Sequence, residues 1–336
     1  MKPTKTLFLF SLFIFLFSLF IGCSNDSTDP EPEPPPYVPI TTVYTAGWYN
    51  NGSDIACYWK DGTKTDLPGS DSRAYAIAVA GGDVYVAGKC RNGTNNVACY
   101  WKNGTKTDLL GTESQATAIA VVGSEVYVAG YYDKSGSDVA CYWKGTSKTD
   151  LLGTESHATA IAVVGSDVYV AGQYYNDSKY VACYWKGITI TPLSINVSHA
   201  NAIAVIGSDV YATGQYDNDN DWVACYWKGT TITPLSIVNS EANAIAVVGG
   251  DVYTAGRYDN GFGSEIACYW KGTIKTDLLG TVSQATAIAV VGSDVYAAGF
   301  YWNGSSNYLA CYWKNGTKTD LSTVSSQAQG IVVTVE

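Results

Sequence analysis

Apolar and polar residues alternate along most of this chain in short runs separated by turn residues. In one representative stretch, Gln115 to Val122 alternates and then becomes apolar, and Glu125 to Gly130 follows a Gly-Ser pair. Val139 to Lys144 and Lys148 to Leu151 continue the pattern after further turn residues. Period-two alternation between tight turns is typical of adjacent antiparallel strands. The pattern therefore predicts a meander of four short β-strands.

This four-strand unit recurs along the chain. The sequence Ala-Cys-Tyr-Trp-Lys occurs seven times, with its cysteine at positions 57, 99, 141, 183, 225, 268 and 311. Neighbouring copies are therefore 42 or 43 residues apart. A repeat of this length with four strands is typical of a β-propeller blade. We predict an all-β fold in which each copy supplies one blade.

The two ends of the repeat array are complementary halves of one unit. The first copy opens at Thr42 with a second strand that no first strand precedes, whereas Gln327 to Val335 is a first strand that no second strand follows. A closed ring accounts for this split, because the last strand then completes the first blade and removes an exposed sheet edge. Residues 41–336 are thus predicted to form a seven-bladed β-propeller with four antiparallel strands per blade, closed by the C-terminal strand.

Three residue types recur at fixed positions and are predicted to be structural. The third strand places Cys99 and Trp101 on one face, so the seven tryptophans are candidates for the core between blades. Equivalent cysteines would lie in sheets about 10 Å apart, too far for a disulfide, so we expect buried free thiols. Cys90 stands alone outside this column, with no assigned role. A column of serines at the first strands is expected to form structural hydrogen bonds: Ser72, Ser114, Ser156, Ser198, Ser240, Ser283 and Ser326.

Residues 1–22 have the features of an export signal. Lys2 and Lys5 precede an apolar run from Leu7 to Ile21, which is too short for a membrane-spanning helix. The run leads into Phe-Ile-Gly-Cys, which resembles the lipobox of bacterial lipoproteins and implies lipid attachment at Cys23. We therefore expect membrane contact through the lipid anchor only. Secretion without a lipid is the alternative.

Residues 23–40 are rich in proline and acidic residues and are predicted to be an extended tether. An acidic stretch directly after the lipidated cysteine resembles the surface-export signals of lipoproteins from the Bacteroides group. That resemblance implies an exported lipoprotein of the outer membrane, displayed on the cell surface. A spacer that faces the periplasm is the alternative.

The repeat also resembles a known family. The stretch from Ala98 to Gly130 is similar to the HAF-type extracellular repeat in its aromatic-Trp, Gly-Thr, Thr-Asp-Leu and final Val-x-x-Gly positions. The resemblance covers residues 41–336. Copies four and five depart from it, because Ile190 to Leu193 and Ile232 to Leu235 contain proline in place of aspartate. The family implies an extracellular propeller-like repeat and little about chemistry.

Composition and motifs restrict the classes of ligand. The formal net charge is −10 without any basic run, so nucleic acid is excluded as a partner. The chain has no nucleophile elbow and no phosphate-binding loop, and we predict no cofactor, no metal site and a monomer. His157 and His199 fall on adjacent blades, but neither has an acidic residue or a cysteine at ligand spacing. Asp217 to Asp221 alternates acids without the Gly and distal Glu of a calcium loop, which favours a solvated loop.

Two surfaces are candidates for ligand binding. First strands line the channel of a propeller, so the residue after each column serine is predicted to stand at the channel rim: Arg73, Gln115, His157, His199, Glu241, Gln284 and Gln327. Two positions further on lies a second polar row: Tyr75, Thr117, Thr159, Asn201, Asn243, Thr286 and Gln329. The loops between second and third strands offer aromatic residues: Trp48, Tyr131, Tyr174, Tyr216, Tyr258 and Trp302.

Aromatic loops beside a polar concavity predict a binding module that recognises a glycan or a protein. One alternative is a propeller-fold glycan lyase or hydrolase that uses four rim residues: Arg73, His157, His199 and Glu241. A structural surface-coat protein is the third hypothesis, favoured by the near identity of copies two, three and six. The differences among copies at the rim favour binding.

Overall fold

The computed structural model describes residues 39–336. The predicted signal peptide, the lipidation residue Cys23 and nearly all of the tether lie outside these residues. Residues 39–336 form 28 β-strands and no helix. Accordingly, no helix that could cross a membrane is found in this part of the chain.

The 28 strands follow one another along the chain. They are β1 (Thr41–Asn50), β2 (Asp54–Lys60), β3 (Thr63–Asp66), β4 (Ser70–Ala80), β5 (Asp83–Asn92), β6 (Asn95–Lys102), β7 (Thr105–Asp108), β8 (Thr112–Val122), β9 (Glu125–Asp133), β10 (Asp138–Lys144), β11 (Ser147–Asp150), β12 (Thr154–Val164), β13 (Asp167–Tyr175), β14 (Tyr180–Lys186), β15 (Thr189–Pro192), β16 (Ser198–Ile206), β17 (Asp209–Asp217), β18 (Trp222–Lys228), β19 (Thr231–Pro234), β20 (Ser240–Val248), β21 (Asp251–Asp259), β22 (Glu265–Lys271), β23 (Ile274–Asp277), β24 (Ser283–Val291), β25 (Asp294–Trp302), β26 (Tyr308–Lys314), β27 (Thr317–Asp320) and β28 (Ser326–Val335).

These strands pair into seven four-stranded antiparallel sheets, the blades of a propeller. Blade 1 has the order β28-β1-β2-β3, and blades 2 to 7 each take the next four strands in sequence, beginning with β4–β7. The first strand of each blade contacts the first strands of both neighbouring blades. The first strands therefore surround the central axis, and the short fourth strands lie at the periphery.

The ring closes between the two ends of the repeat array. β28 pairs antiparallel with β1, from Thr41 opposite Val335 to Tyr49 opposite Ser326. It also contacts β24 of blade 7 and β4 of blade 2. The predicted seven-bladed fold and its closure by the C-terminal strand are confirmed.

First strands begin earlier, and second strands end later, than the alternation pattern predicted. β8 starts at Thr112 rather than Gln115, and β9 continues to Asp133 rather than ending at Gly130. The extension is further pairing between these two strands, with Thr112 opposite Asp133 and Ser114 opposite Tyr132. Ser114 Oγ also accepts the backbone N–H of Ala98 in the preceding blade at 2.9 Å. All seven column serines accept the equivalent bond at 2.9–3.0 Å, which confirms their predicted structural role.

Each first strand also contains a β-bulge opposite a glycine. In blade 3 the register shifts between Ala116 and Ala118, so Thr117 is the extra, unpaired residue. The bulge brings the carbonyl oxygen of Gln115 to the place that a Cβ on Gly130 would occupy. Every second strand has a glycine at this position because only a residue without a side chain fits there.

The hydrophobic core lies between blades. Trp143 and Cys141 of blade 3 are fully buried and pack against Tyr85, Ala87 and Ala98 of blade 2. All seven tryptophans of this column are equally buried. The prediction that they form the inter-blade core is confirmed.

The connections between blades fall into two classes, which differ in whether a backbone carbonyl of the connection accepts a hydrogen bond from the buried indole N–H. Four indoles donate to a carbonyl in the preceding connection, at 2.7–3.0 Å: Trp101 to Pro68, Trp143 to Leu110, Trp185 to Leu152 and Trp313 to Leu279. The other three, within residues 39–336, have no partner for this N–H: Trp59, Trp227 and Trp270. In those connections a serine hydroxyl instead accepts the N–H two residues on: Ser322 from Val324, Ser194 from Asn196 and Ser236 from Val238. The sequence of a connection thus decides whether the neighbouring indole is satisfied.

Candidate functional site

The first strands enclose a cavity of about 420 Å³ on the propeller axis. Its mouth is the end at which second strands turn into third strands, because the start of each first strand pairs with the end of a second strand. The cavity is lined by the whole second polar row and by the rim residues Gln115 and Gln284. The predicted polar lining of the channel is therefore present.

Five members of the second row, however, use their polar atoms to join neighbouring blades. Thr117 Oγ1 donates to the carbonyl of Ala158 in the next blade at 2.9 Å. The equivalent bonds measure 2.7–3.0 Å: Thr159 to Ala200, Asn201 to Ala242, Asn243 to Ala285 and Thr286 to Ala328. The side chain at the bulge therefore acts mainly as a link between blades.

The row of links is interrupted at blades 1 and 2. Gln329 of blade 1 donates its amide N–H to Gln327 Oε1 at 3.1 Å, within its own strand. Tyr75 of blade 2 lines the cavity, and among the described residues neither it nor Gln329 makes the bond to the next blade. Burial raises the pKa of Tyr75 to about 12, so its hydroxyl is protonated and can donate. This sector alone presents second-row side chains that are not committed to linking blades.

The rim above this sector carries charged and aromatic groups. Arg73 Nε donates to Asp54 Oδ2 at 2.6 Å, and the guanidinium lies 4.4 Å from the centre of the Trp48 ring. Lys89 pairs with Arg73 in the strand register. Within residues 39–336 no carboxylate lies close enough to form an ion pair with Lys89. Burial, followed by the nearby charge of Arg73, lowers its pKa. The rim therefore holds Arg73 in one orientation and leaves the Lys89 ammonium free.

The rim at blades 3 and 4 contains a His–Asp pair that sequence reasoning missed. His157 Nε2 lies 2.7 Å from Asp138 Oδ2, and the ring of Tyr131 packs edge-on against the imidazole at 4.6 Å. Asp138 begins the third strand of the preceding blade, 19 residues upstream of His157, so the spacing within one strand could not reveal it. The repeat could have revealed this pair. Asp54 begins the third strand of blade 1 as Asp138 begins that of blade 3, and Asp54 binds the rim residue of the next blade, Arg73.

Two further rim residues, His199 and Glu241, have partners within their own blades. His199 packs against Trp222 with ring centres 5.1 Å apart, and burial, followed by the charge of His157, lowers the pKa of His199. Glu241 accepts a bond from Arg257 Nε at 3.1 Å, and Arg257 also pairs with Glu265. Both predicted catalytic candidates of this sector are therefore held by neighbouring side chains.

The six aromatic residues predicted for the loops lie on two different surfaces. Trp48 and Tyr131 are at the rim, and Trp302 packs against Tyr308 with ring centres 5.2 Å apart. Trp48 and Tyr131 directly follow the glycine of their second strands. The other three come two residues after that glycine: Tyr174, Tyr216 and Tyr258. Because alternate residues of a strand face opposite ways, this later position is turned from the rim toward the neighbouring blade.

Two of these later tyrosines line grooves between blades. Tyr258 borders a groove of about 580 Å³ beside the connection that contains Ser236, and Tyr216 borders one of about 450 Å³ beside Ser194. Exposed apolar residues, Ile237 and Ile195, stand at the same places. The grooves coincide with connections of the class that leaves an indole N–H unpaired.

The acidic loop from Asp217 to Asp221 uses its side chains to stabilise its own turns. Asp217 Oδ1 accepts the backbone N–H of Asp219 at 2.8 Å, and Asn218 Oδ1 accepts that of Asp221 at 2.9 Å. Across residues 39–336 no three His, Cys, Asp or Glu side chains are grouped closely enough to hold a metal ion. Asp217 and Asn218 are thus committed to these local bonds.

Comparison with known proteins identifies the fold. The β-propeller domain of the Trilobed protease from Pyrococcus furiosus superimposes with a TM-score of 0.51 at 10% identity, covering 84% of this chain and 95% of that one. A puromycin-hydrolysing peptidase from Mycobacterium tuberculosis gives 0.54 at 11% identity, with 83% of this chain and 50% of that one covered. A lectin in complex with alpha methyl fucoside is more distant, at 0.44 and 15% identity over 75% of this chain and 96% of that one.

No family model matches the sequence, and the comparison with curated proteins finds no match either. The resemblance to the HAF-type repeat therefore stays a prediction. At identities this low the structural similarities show the fold alone. The fold itself is established by the seven closed sheets: the chain is a seven-bladed β-propeller.

Proposed function

We propose that this chain is a glycan-binding module and that the ligand is held at the channel mouth beside blades 1 and 2. The observation that carries the proposal is the interruption of the second polar row. Five blades commit this position to a link with the next blade, whereas Tyr75 and Gln329 line the cavity without making that link. Convergent polar groups in a concavity of this volume are typical of a small-ligand site.

The side chains of this sector match the chemistry of a sugar. A sugar ring offers hydroxyl groups to hydrogen-bonding side chains and a less polar face to an aromatic ring. Tyr75 and Gln329 supply hydrogen-bonding groups inside the cavity, and Trp48 supplies a half-buried ring at the rim. The free ammonium of Lys89 favours a glycan that carries an acidic group.

The sector is also held in place before any ligand arrives. Arg73 is fixed between the Asp54 carboxylate and the Trp48 ring, at 2.6 and 4.4 Å. Side chains that are already ordered lose less conformational entropy when they bind, so more of the contact energy appears as affinity. Framework positions of a repeat must stay alike for blades to stack, and these rim positions differ from blade to blade.

A glycan array tests the proposal, probed with the chain lacking residues 1–22 and carrying Cys23→Ser so that it stays soluble. We expect a cluster of related acidic glycans. Tyr75→Thr introduces the residue of blades 3, 4 and 7 and should keep the fold, yet weaken binding by about two- to tenfold, the effect of losing one hydrogen bond. Lys89→Gln should reduce binding of acidic glycans more than that of neutral ones.

The matched control is His199→Gln, which lies on the opposite side of the rim and introduces the glutamine found at three other rim positions. It should leave binding unchanged. Binding that survives Tyr75→Thr and Lys89→Gln would contradict the assignment of the site. An array without hits would contradict glycan binding itself and favour a protein ligand, to be sought next by crosslinking on intact cells.

The His157–Asp138 pair supports a second candidate, a propeller enzyme that cleaves glycans. A histidine in contact with a carboxylate can transfer protons, and Tyr131 stands beside it at the rim. This hypothesis predicts that an array ligand is shortened on incubation, as measured by chromatography, and that Asp138→Asn abolishes the product without abolishing binding. Binding without any product over many hours would exclude it.

We further propose that residues 1–22 are a lipoprotein signal peptide, that Cys23 carries the lipid and that residues 23–40 tether the propeller outside the outer membrane. The apolar run and the lipobox-like sequence before Cys23 support this. Cys23→Ser should move the protein from the membrane fraction to the soluble fraction, and protease added to intact cells should remove the wild-type protein. Membrane association of the variant would contradict the anchor.

A further inference from the structure

Cys90 occupies a position that is tyrosine in every other blade. Two residues after the glycine of the second strand, the other six blades carry Tyr49, Tyr132, Tyr174, Tyr216, Tyr258 and Tyr301. In blade 3, Lys148 Nζ lies 3.0 Å from the centre of the Tyr132 ring, and the tyrosine hydroxyl donates to Asp150 at 2.9 Å. Blade 2 keeps the lysine and the aspartate, as Lys106 and Asp108, but has a thiol in place of the ring.

The exchange of tyrosine for cysteine places two sulfur atoms together. Gly88 pairs with Cys99 and Cys90 pairs with Val97, so the two cysteines are diagonal neighbours on the same face of blade 2. Their Sγ atoms lie 3.0 Å apart, closer than two sulfur atoms in ordinary non-bonded contact. Both side chains are buried. The spacing of cysteines between blades could not reveal this contact, because it says nothing about a second cysteine within one blade.

We propose that Cys90 and Cys99 form a disulfide in the exported protein. Disulfides form and persist in compartments outside the cytosol, and the adjacent sulfur atoms need only a small movement to bond. The other column cysteines belong to separate blades, and none of them has a second cysteine at the tyrosine position. They remain thiols.

The oxidant is a protein disulfide of the thiol-oxidase class. The Cys90 thiolate attacks one sulfur of that disulfide, which forms a mixed disulfide and releases one oxidant thiolate. The Cys99 thiolate then attacks the Cys90 sulfur, which forms the Cys90–Cys99 bond and releases the second oxidant thiolate. Two electrons and the two thiol protons pass to the oxidant, which becomes a dithiol. Because both sulfur atoms are buried in the folded blade, the exchange takes place before blade 2 is fully packed.

Once β5 and β6 have paired, the neighbours of Cys90 favour it as the first nucleophile. The hydrogen bond with Cys99, followed at longer range by the charge of Lys106, lowers the pKa of the Cys90 thiol. Burial raises the pKa of the column thiols, as it does for Cys141. A thiol with a lowered pKa is more often present as the reactive thiolate.

Peptide mapping of the full-length protein tests the proposal. The protein is purified without reductant, unfolded, alkylated with iodoacetamide and digested with trypsin, which cuts after Lys89, Arg91 and Lys102. We expect residues 90–91 to be joined to residues 92–102, with both cysteines unalkylated and the other column cysteines alkylated. Complete alkylation of Cys90 and Cys99, even after refolding with an excess of oxidised glutathione, would overturn the proposal.

Two variants complete the test. Cys90→Tyr restores the residue of the other blades beside Lys106 and should fold, and its Cys99 should become fully alkylated. Cys141→Ser removes a column cysteine from another blade and should keep the linked peptide. A linked peptide that persists with a different partner in Cys90→Tyr would show that Cys99 pairs by scrambling, which would also overturn the specific bond.

Discussion

Trp185 and Trp227 form a natural matched pair for measuring what the two classes of blade connection contribute. Both residues occupy the same position in adjacent blades, and both are fully buried. The indole N–H of Trp185 donates to the carbonyl of Leu152 at 2.7 Å. That of Trp227 has no partner among the described residues. Replacing each by phenylalanine removes the same atoms from the same kind of environment.

The expected difference in the free energy of unfolding depends only on whether the indole N–H is hydrogen-bonded. The loss of volume and apolar area is common to both substitutions and cancels in the comparison. Trp185→Phe also loses a hydrogen bond with a net contribution of about 0.5–1.5 kcal/mol. Trp227→Phe instead removes a buried, unpaired donor, whose desolvation costs about 1–3 kcal/mol. We expect Trp185→Phe to reduce the free energy of unfolding by about 2 kcal/mol more than Trp227→Phe.

Equilibrium unfolding in urea, followed by circular dichroism, measures this difference on the soluble chain with Cys23→Ser. A second pair, Trp143→Phe and Trp270→Phe, repeats the comparison in other blades. Equal losses of stability within about 0.5 kcal/mol in both pairs would refute the reasoning, since each unpaired N–H would then be satisfied in solution. A difference in the opposite direction would refute it as well.

Three further predictions concern the framework and the rim. Gly130→Ala should reduce the free energy of unfolding by about 3 kcal/mol or more, because its Cβ would collide with the backbone of Gln115; a urea midpoint close to wild type would contradict this. The folded-state pKa of His199 lies below its ordinary value of 6.5. The contribution of His199 to stability is therefore complete above pH 6.5 and is lost as the pH falls from 6.5 through the folded-state pKa. His199→Gln should therefore flatten the melting temperature between pH 7 and pH 5, and an unchanged slope would contradict the sign. Deleting residues 327–336 removes nearly all of the inner strand of blade 1 and should abolish the folded monomer; size-exclusion chromatography showing a monomer with unchanged melting would refute ring closure.

The fold could be predicted from the sequence because the same pattern of strand and turn residues occurs seven times. A single Cys-Tyr-Trp strand would be ambiguous, whereas seven copies at 42 or 43 residues define the unit and its boundaries. The split of one blade between Thr42 and Val335 then implies closure, and β28 pairs with β1 as this requires. The ends of strands were less well predicted. The pairing of Thr112 with Asp133, which lengthens β8 and β9, follows a register shift and leaves no mark on local alternation.

The site was harder to predict for the same reason. The rim pairs are contacts between strands whose spacing in the chain differs from case to case, such as His157 with Asp138 in the blade before it. The sequence pattern predicted that Tyr258 lies in the loop after the second strand, but β21 continues to Asp259 and turns that ring toward the neighbouring blade. The second-row residues lie at β-bulges such as the one at Thr117, and the bulge decides whether their side chains can reach the next blade. A bulge is a property of two paired strands, so the sequence of one strand does not show it.

Blade 2 differs from the other blades at several positions, which argues that it has a specialised role. Framework positions in a stacked repeat are constrained, because each side chain must fit two neighbouring sheets. Blade 2 nevertheless replaces the linking residue by Tyr75, the column tyrosine by Cys90, and adds two cations, Arg73 and Lys89. The loss of one link and one ring would weaken this blade, and a disulfide from Cys90 to Cys99 would offset that loss close to the rim. The departures that would open the proposed site and the departure that would stabilise it thus lie on β4 and β5, as expected if blade 2 supplies most of the binding site that we propose.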